Sequence, residues 1–257
     1  MSAEPQLLLK NLFFHFQPVM NGRRQPVWFE ALLRWRDASG IIRPPAAVLP
    51  ELLNGSAETL DAFTAHTVHQ AAAALTASER AVRISINLSP AQLCREATVN
   101  LLASVPRRLR RRLIVEITEE VFPDREVYRL FIGETASLGV EVVLDDLVPE
   151  AISERLPPVL PVSGVKIDRS LLHGLNTITD GCALARLILQ MRAEGMHVTV
   201  EGVSSAAQLR RLQQLGAGHF QGFGLAMPRP EPVVLPEGED LLPAELSRPA
   251  EALTVPA

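Results

Sequence analysis

Val140–Leu147 reads VEVVLDDL, an apolar β-forming run that ends in two adjacent carboxylates, Asp145 and Asp146. Such a run predicts a strand. Two like charges at a strand end repel, so something should neutralise them, and a divalent cation is the obvious candidate. The chain continues VPEAISERLPP, with no glycine before Gly164.

Working outward, the same plan recurs. Strands are predicted at 13–20 (FFHFQPVM), 27–35 (VWFEALLRW), 81–89 (AVRISINLS), 112–120 (RLIVEITEE), 140–147, 164–171 (GVKIDRSL), 197–203 (HVTVEGV) and 219–227 (HFQGFGLAM). Helical segments lie between most of them. Residues 57–77 are alanine-rich. Residues 89–105 read as one helix, with Ser89 as N-cap and Pro90 at its first position. Residues 124–139, 180–195 and 204–216 each end in glycine, the first opening on an Asp cap. Alternating β and α units imply parallel strands covered by helices. Eight strands predict an α/β fold of the (β/α)8 barrel type, with an open doubly wound sheet as the alternative. The first connection, NGRRQP, is too short for a crossover helix. The first strand is therefore expected to pair antiparallel with the second, giving a modified TIM barrel. Residues 1–230 are expected to form this domain, and 231–257, rich in Pro and Glu, a disordered tail.

The chain has 257 residues, a formal net charge of -4 and 47% hydrophobic residues. That permits a large core and implies no broad basic surface for nucleic acid. No apolar run reaches the roughly 18 residues of a membrane span, and the N-terminus lacks a signal-peptide layout. Cys94 and Cys182 are far apart and are expected as buried thiols in a reducing cytosol. Lys10 and Lys166 are the lysines among 25 basic residues; the rest are arginines. A lysine inside a strand, as Lys166 is predicted to be, needs a local reason.

The polar strand ends supply one. Glu30, Asn87, Glu116, the Asp145–Asp146 pair, Lys166, Glu201 and Gln221 close seven successive strands, with Glu119 three residues beyond Glu116. In a parallel barrel these ends share the active face. An oxygen-rich set without clustered His or Cys suits Mg²⁺, Mn²⁺ or Ca²⁺.

The series FEALLRW, INLSPAQL, VEITEE, LDDL, VKIDRS, VEGV and HFQGF, in this order and spacing, resembles the EAL domain family. The resemblance runs from Phe13 to Pro230. It implies a modified barrel with an antiparallel first strand. It also implies hydrolysis of cyclic di-GMP to pGpG with two Mg²⁺ or Mn²⁺ ions. By motif position, Glu30, Asn87, Glu116 and Asp145 would bind one metal, and Asp145 and Asp146 the other. Lys166 would hold the attacking water, with Glu201 and Gln221 completing the site. Glu119 would anchor a loop, Arg34 would contact a phosphate and Gln17 would line the nucleotide site. Cyclic di-GMP is the implied partner, leaving room for a homodimer and an unidentified protein regulator, in the cytoplasm, with no DNA and no membrane.

The sequence departs from the family in three places. LVPEAIS stands where active members carry Phe-Gly-Thr-Gly-Tyr-Ser-Ser. Ser204 stands where a glutamate follows EGV, and the proline-rich tail stands where a closing helix is expected. These departures motivate two competing readings, a catalytically silent cyclic di-GMP receptor and a protein-interaction module. His66 and His69 are read as a surface or partly buried pair, the basic cluster from Arg107 to Leu113 as a solvated segment, and Trp28 and Trp35 as core or rim packing residues.

Overall fold

The computed structural model describes residues 8–78, 81–117, 125–147, 161–173 and 178–232. Nine strands form one sheet: β1 (Leu12–Asn21), β2 (Pro26–Arg36), β3 (Ile42–Arg43), β4 (Ile84–Leu88), β5 (Leu113–Ile117), β6 (Glu141–Leu147), β7 (Gly164–Ile167), β8 (His197–Val200) and β9 (His219–Phe220). Their order is β1-β9-β8-β7-β6-β5-β4-β2-β3, and the additional β1–β2 pairing closes eight of them into a barrel. β1 is antiparallel to both neighbours, while β2 and β4 to β9 run parallel. The two-residue β3 is a short antiparallel addition to the end of β2, which the sequence pattern did not reveal.

The helices cover the outside. Helix Ala57–Ala77 spans the residues expected of it, and Ser56 caps it by accepting from Thr59 N–H. The segment 89–105 forms two helices, Pro90–Leu93 and Glu96–Ser104, rather than one. Ser89 and Gln92 make a reciprocal capping box at its start. Arg95 breaks it by turning extended (φ -120, ψ 130) to form a two-pronged contact with Asp61 on the preceding helix. On helix Ile178–Ala193, Leu184, Leu187, Ile188 and Met191 make the buried stripe. Cys182 lies off that stripe and is exposed, and Cys94 is half-buried, so neither is the buried thiol expected.

The main core joins the outward faces of the strands to these helices. A smaller cluster of Val19, Trp28, Ile114 and Val143 fills the barrel lumen. Each fully buried side chain of this size contributes roughly 1.5–3 kcal/mol. Trp28 is thus a lumen residue, and Trp35 packs at the edge of a satellite cluster. No described helix is long and apolar enough to cross a membrane. Glu119, the Asp124 cap, the altered loop after Leu147 and the tail beyond Pro232 lie outside the described residues.

Candidate functional site

Strand alternation aims Gln17, Glu30, Asn87, Glu116, Asp145, Lys166 and Gln221 into the barrel at one level, with Glu201 one residue past β8. The convergence at a single rim follows from parallel pairing, with Asn87 opposite Glu116 in register. Asp145 and Asp146 are a special case, because adjacent strand residues normally face opposite sides. A register shift between Leu144 and Leu147 bulges β6 here, and Asp146 adopts a left-handed φ of 52°. The bulge lets both carboxylates reach one mouth. Asp146 N–H donates to Asp145 Oδ1 at 3.0 Å.

Lys166 is the hub. Its Nζ lies 3.3 Å from Glu30 Oε2, 2.9 Å from Glu116 Oε2, 3.0 Å from Asp145 Oδ1 and 2.5 Å from Glu201 Oε1. The side chain is 1% exposed. Burial alone would lower the pKa of this ammonium, but Asp145, Glu116, Glu30 and Glu201 together hold it well above the ordinary lysine value. Burial pushes Glu116 well above the carboxylate range, with Glu30 and Asp145 adding to it and Lys166 opposing. Burial likewise raises Asp145, and it pushes Glu201 up to about 7. For Glu30 burial is again the largest influence and raises the pKa, but Lys166, Gln221 and Asn87 together leave it lowered. One ammonium among these carboxylates leaves the mouth short of positive charge.

The amides brace this set. Asn87 Nδ2 donates to Glu30 Oε1 at 2.8 Å, and Gln221 Nε2 to Glu30 Oε2 at 2.6 Å. Gln221 Nε2 also donates to Gln17 Oε1 at 3.1 Å, and Gln17 Nε2 to Ala226 O at 3.0 Å. Gln17 therefore lines the cleft with both ends of its amide engaged. Asn87 Oδ1, Glu116 Oε1 and Gln221 Oε1 are buried oxygens without a hydrogen-bond partner. Unpartnered buried oxygens call for a ligand or an ion.

The carboxylates divide into two groups, Glu30–Glu116–Asp145 and Asp145–Asp146–Glu201. Within each group one oxygen per residue lies within 4.8 Å of the others. The shared Asp145, the all-oxygen donor set and the orphaned oxygens fit two hard divalent cations side by side.

Above them opens a cleft of about 820 Å³ lined by Arg34, Asp168, Arg169, Gln208, Phe223 and the site residues other than Asn87 and Glu116. Asp168 and Phe223 escaped the reading of strand ends, yet each follows a singled-out residue, Lys166 or Gln221, by two. Period-two alternation continued past the strand would have found both. His66 lies 3.2 Å from Leu12 O and His69 is exposed, and neither joins a metal-type cluster among the described residues.

The EAL domain profile matches residues 2–228. An uncharacterized signaling protein of Caulobacter vibrioides is 29% identical over 230 residues, covering 85% of this chain and 28% of that protein. MucR of Pseudomonas aeruginosa, a bifunctional diguanylate cyclase/cyclic di-GMP phosphodiesterase, is 28% identical over 232 residues, covering 86% of this chain and 33% of that protein. The chain thus spans about a third of the length of these curated relatives. The FimX EAL domain from Pseudomonas aeruginosa, solved bound to cyclic di-GMP, superposes with a TM-score of 0.75 at 24% identity, covering 89% of this chain and 96% of that one. The MucR phosphodiesterase in its cyclic di-GMP complex gives a TM-score of 0.71 at 24% identity, covering 86% and 93%. A profile matched almost end to end, on a closed barrel whose one antiparallel strand is the first, makes this chain a member of the EAL domain family.

Proposed function

We propose that this chain is a metal-dependent phosphodiesterase that hydrolyses cyclic di-GMP to pGpG. The observation that carries the reading is the pair of carboxylate groups sharing Asp145 at the base of the cleft. Glu30, Asn87, Glu116 and Asp145 would hold one Mg²⁺ or Mn²⁺. Asp145 and Asp146 would hold a second, with Glu201 and Gln221 beside it. With all five carboxylates ionised, as cation binding would favour, they and Lys166 carry four net negative charges; two dications would balance these, so that an anionic diester can approach. Bound cations supply Lewis acidity and lower the pKa of water from 15.7 toward about 7.

The chain's own groups do the rest. The Lys166 ammonium, held by four carboxylates, would retain the attacking water and offset negative charge growing at phosphorus once cations share those carboxylates. Gln221 and Asn87 fix the Glu30 carboxylate from both sides. Arg34 lines the cleft and offers a planar donor fork to a phosphate oxygen.

Incubation of the purified protein with cyclic di-GMP and Mn²⁺ or Mg²⁺, followed by product chromatography, tests the proposal; pGpG is expected, and Glu30→Ala should abolish it. A catalytically silent receptor is the second reading. It is favoured by the residues LVPEAIS after the paired aspartates, and by the way Lys166 already neutralises much of the ligand set. Tight nucleotide binding without pGpG selects that reading, and neither binding nor product removes both. A homodimer and a separate regulatory protein belong to the proposal. Light scattering with and without nucleotide checks the former.

A further inference from the structure

The side of the cleft built after β7, β8 and β9 carries Arg169, Ser204, Gln208 and Phe223. Two glycines set its shape. A Cβ on Gly222 would overlap the Val203 backbone, and one on Gly224 the Ser204 backbone. The loops after β8 and β9 are stitched together there, with Val203 N–H donating to Gln221 O and Gly224 N–H to Val203 O, both at 2.9 Å. Phe223, between the two buried glycines, is turned outward, 61% exposed, and lines the cleft.

Gln208 stands in the first turn of helix Ala206–Gln214, which Ser205 caps. Its side chain reaches back to Ser204. Oε1 accepts from Ser204 N–H at 2.8 Å and from Ser204 Oγ at 3.2 Å. A backbone N–H can only donate, so the amide end that meets it is the carbonyl oxygen. The NH2 end is left over, and no partner is seen for it among the described residues.

This orientation has a chemical consequence. A free glutamine amide offers a donor and an acceptor together, the pair that suits N7 and the N6 amino group of adenine. Gln208 has turned its acceptor to Ser204 and offers the cleft donors alone. Arg169, on the same side, also has only donors. The Asp168 carboxylate beside it is engaged by Ser170 N–H at 2.8 Å. Guanine presents two acceptors, N7 and O6, to such a wall, whereas adenine presents an amino group in place of the second.

We propose that Gln208, oriented by Ser204, is a specificity-determining residue whose Nε2 donates to N7 or O6 of a guanine stacked on Phe223. The assignment rests on the reading of the cleft as a cyclic di-GMP site and adds what selects the base. Phe223 supplies affinity without choice, because every base has a π-face. A glutamate at position 204 would put an acceptor on this wall; the serine there turns its hydroxyl proton to Gln208 instead.

Calorimetric titration of the full chain in Mn²⁺ tests the residue. The ligands are the bisphosphorothioate analogues of cyclic di-GMP and cyclic di-AMP, which resist hydrolysis. Wild type should bind the guanine analogue at least about tenfold more tightly than the adenine one. Gln208→Glu keeps an oxygen for Ser204 N–H, and with it the helix cap, but replaces the donor by an acceptor. Its added charge weakens both ligands, so the readout is their ratio, which should fall to about one or below. A role confined to capping the helix would leave that ratio unmoved. Phe223→Ala should weaken both analogues by a common factor of about five or more. A wild-type ratio in Gln208→Glu overturns the assignment. So does a wild type that binds the two analogues equally, or a Phe223→Ala protein that binds both as wild type does. A wild type that binds neither analogue removes the cyclic di-GMP reading, and this assignment with it.

Discussion

Asp146 and Lys166 each carry a cost that only the neighbouring charges explain. A left-handed backbone costs an ordinary L-residue roughly 1–2 kcal/mol, and Asp and Asn tolerate it best. Asp146→Asn should therefore keep its urea midpoint while losing Mn²⁺ affinity. Asp146→Val should lose about 1–2 kcal/mol of stability as well, and the same two measurements separate the cases. Lys166 is buried against four carboxylates. Removing one partner from a buried charge cluster typically costs about 3–5 kcal/mol. Lys166→Met should melt lower by that amount in chelator and regain much of it when Mn²⁺ is added, as a melting series would reveal. The convergence of these polar residues was legible in the sequence because each lies at or beside a strand end and period two is strict. The β6 bulge was not. Nothing in VEVVLDDL shows that its last two carboxylates turn to the same side, because the shift arises from pairing with β7.

Among the elements, β7 and β8 show how backbone space is shared inside the lumen. Gly164 opens β7 opposite His197, and a Cβ at 164 would overlap the imidazole ring. Gly164→Ala should cost about 1–3 kcal/mol, and His197→Ala in the same chain should recover most of it. A double-mutant cycle in urea measures the coupling. Helix Ala57–Ala77 was legible along its whole length because local signals agree: a serine cap, an alanine-rich body and no interior Gly or Pro. The segment 89–105 was only half legible. Its cap is local, but its break comes from Arg95 reaching a carboxylate 34 positions earlier in the chain. Strand ends were overread for a related reason. HFQGFGLAM keeps an apolar pattern, yet only His219 and Phe220 pair as strand, because Gly222 and Gly224 press backbone to backbone against Val203 and Ser204.

At the scale of the whole molecule, the two ends of the barrel differ in charge and in response to acid. Below the carboxylate layer, Trp28, His197 and His219 meet with ring centroids 5.0–5.3 Å apart. Burial first, then His197 and Arg83, lower the His219 pKa from 6.5 to about 4. Between these values the unfolded chain binds the proton more readily than the folded one. Stability from this group is therefore complete above pH 6.5 and is lost as pH falls toward 4. Discounted for partial exposure, the loss is about 1–2 kcal/mol. Urea midpoints from pH 7 to 4.5 should fall in wild type and flatten in His219→Phe. The barrel itself was legible from the eight strand-like runs and the short first connection, since chain connectivity leaves few ways to arrange them. How it closes was less so, because closure depends on contacts across almost the entire chain.

That closure has a consequence during synthesis. β1 leaves the ribosome before the other strands of the barrel, yet Met20 and Asn21 pair with Phe220 and His219, and Gln17 bonds Ala226, 209 positions later. Until those residues emerge, β1 has only its hairpin partner β2 on one side, and its other edge is open. The ring can therefore be completed only after β9 and the residues that follow it have emerged, and the nascent domain must keep a raw β-edge out of trouble in the meantime.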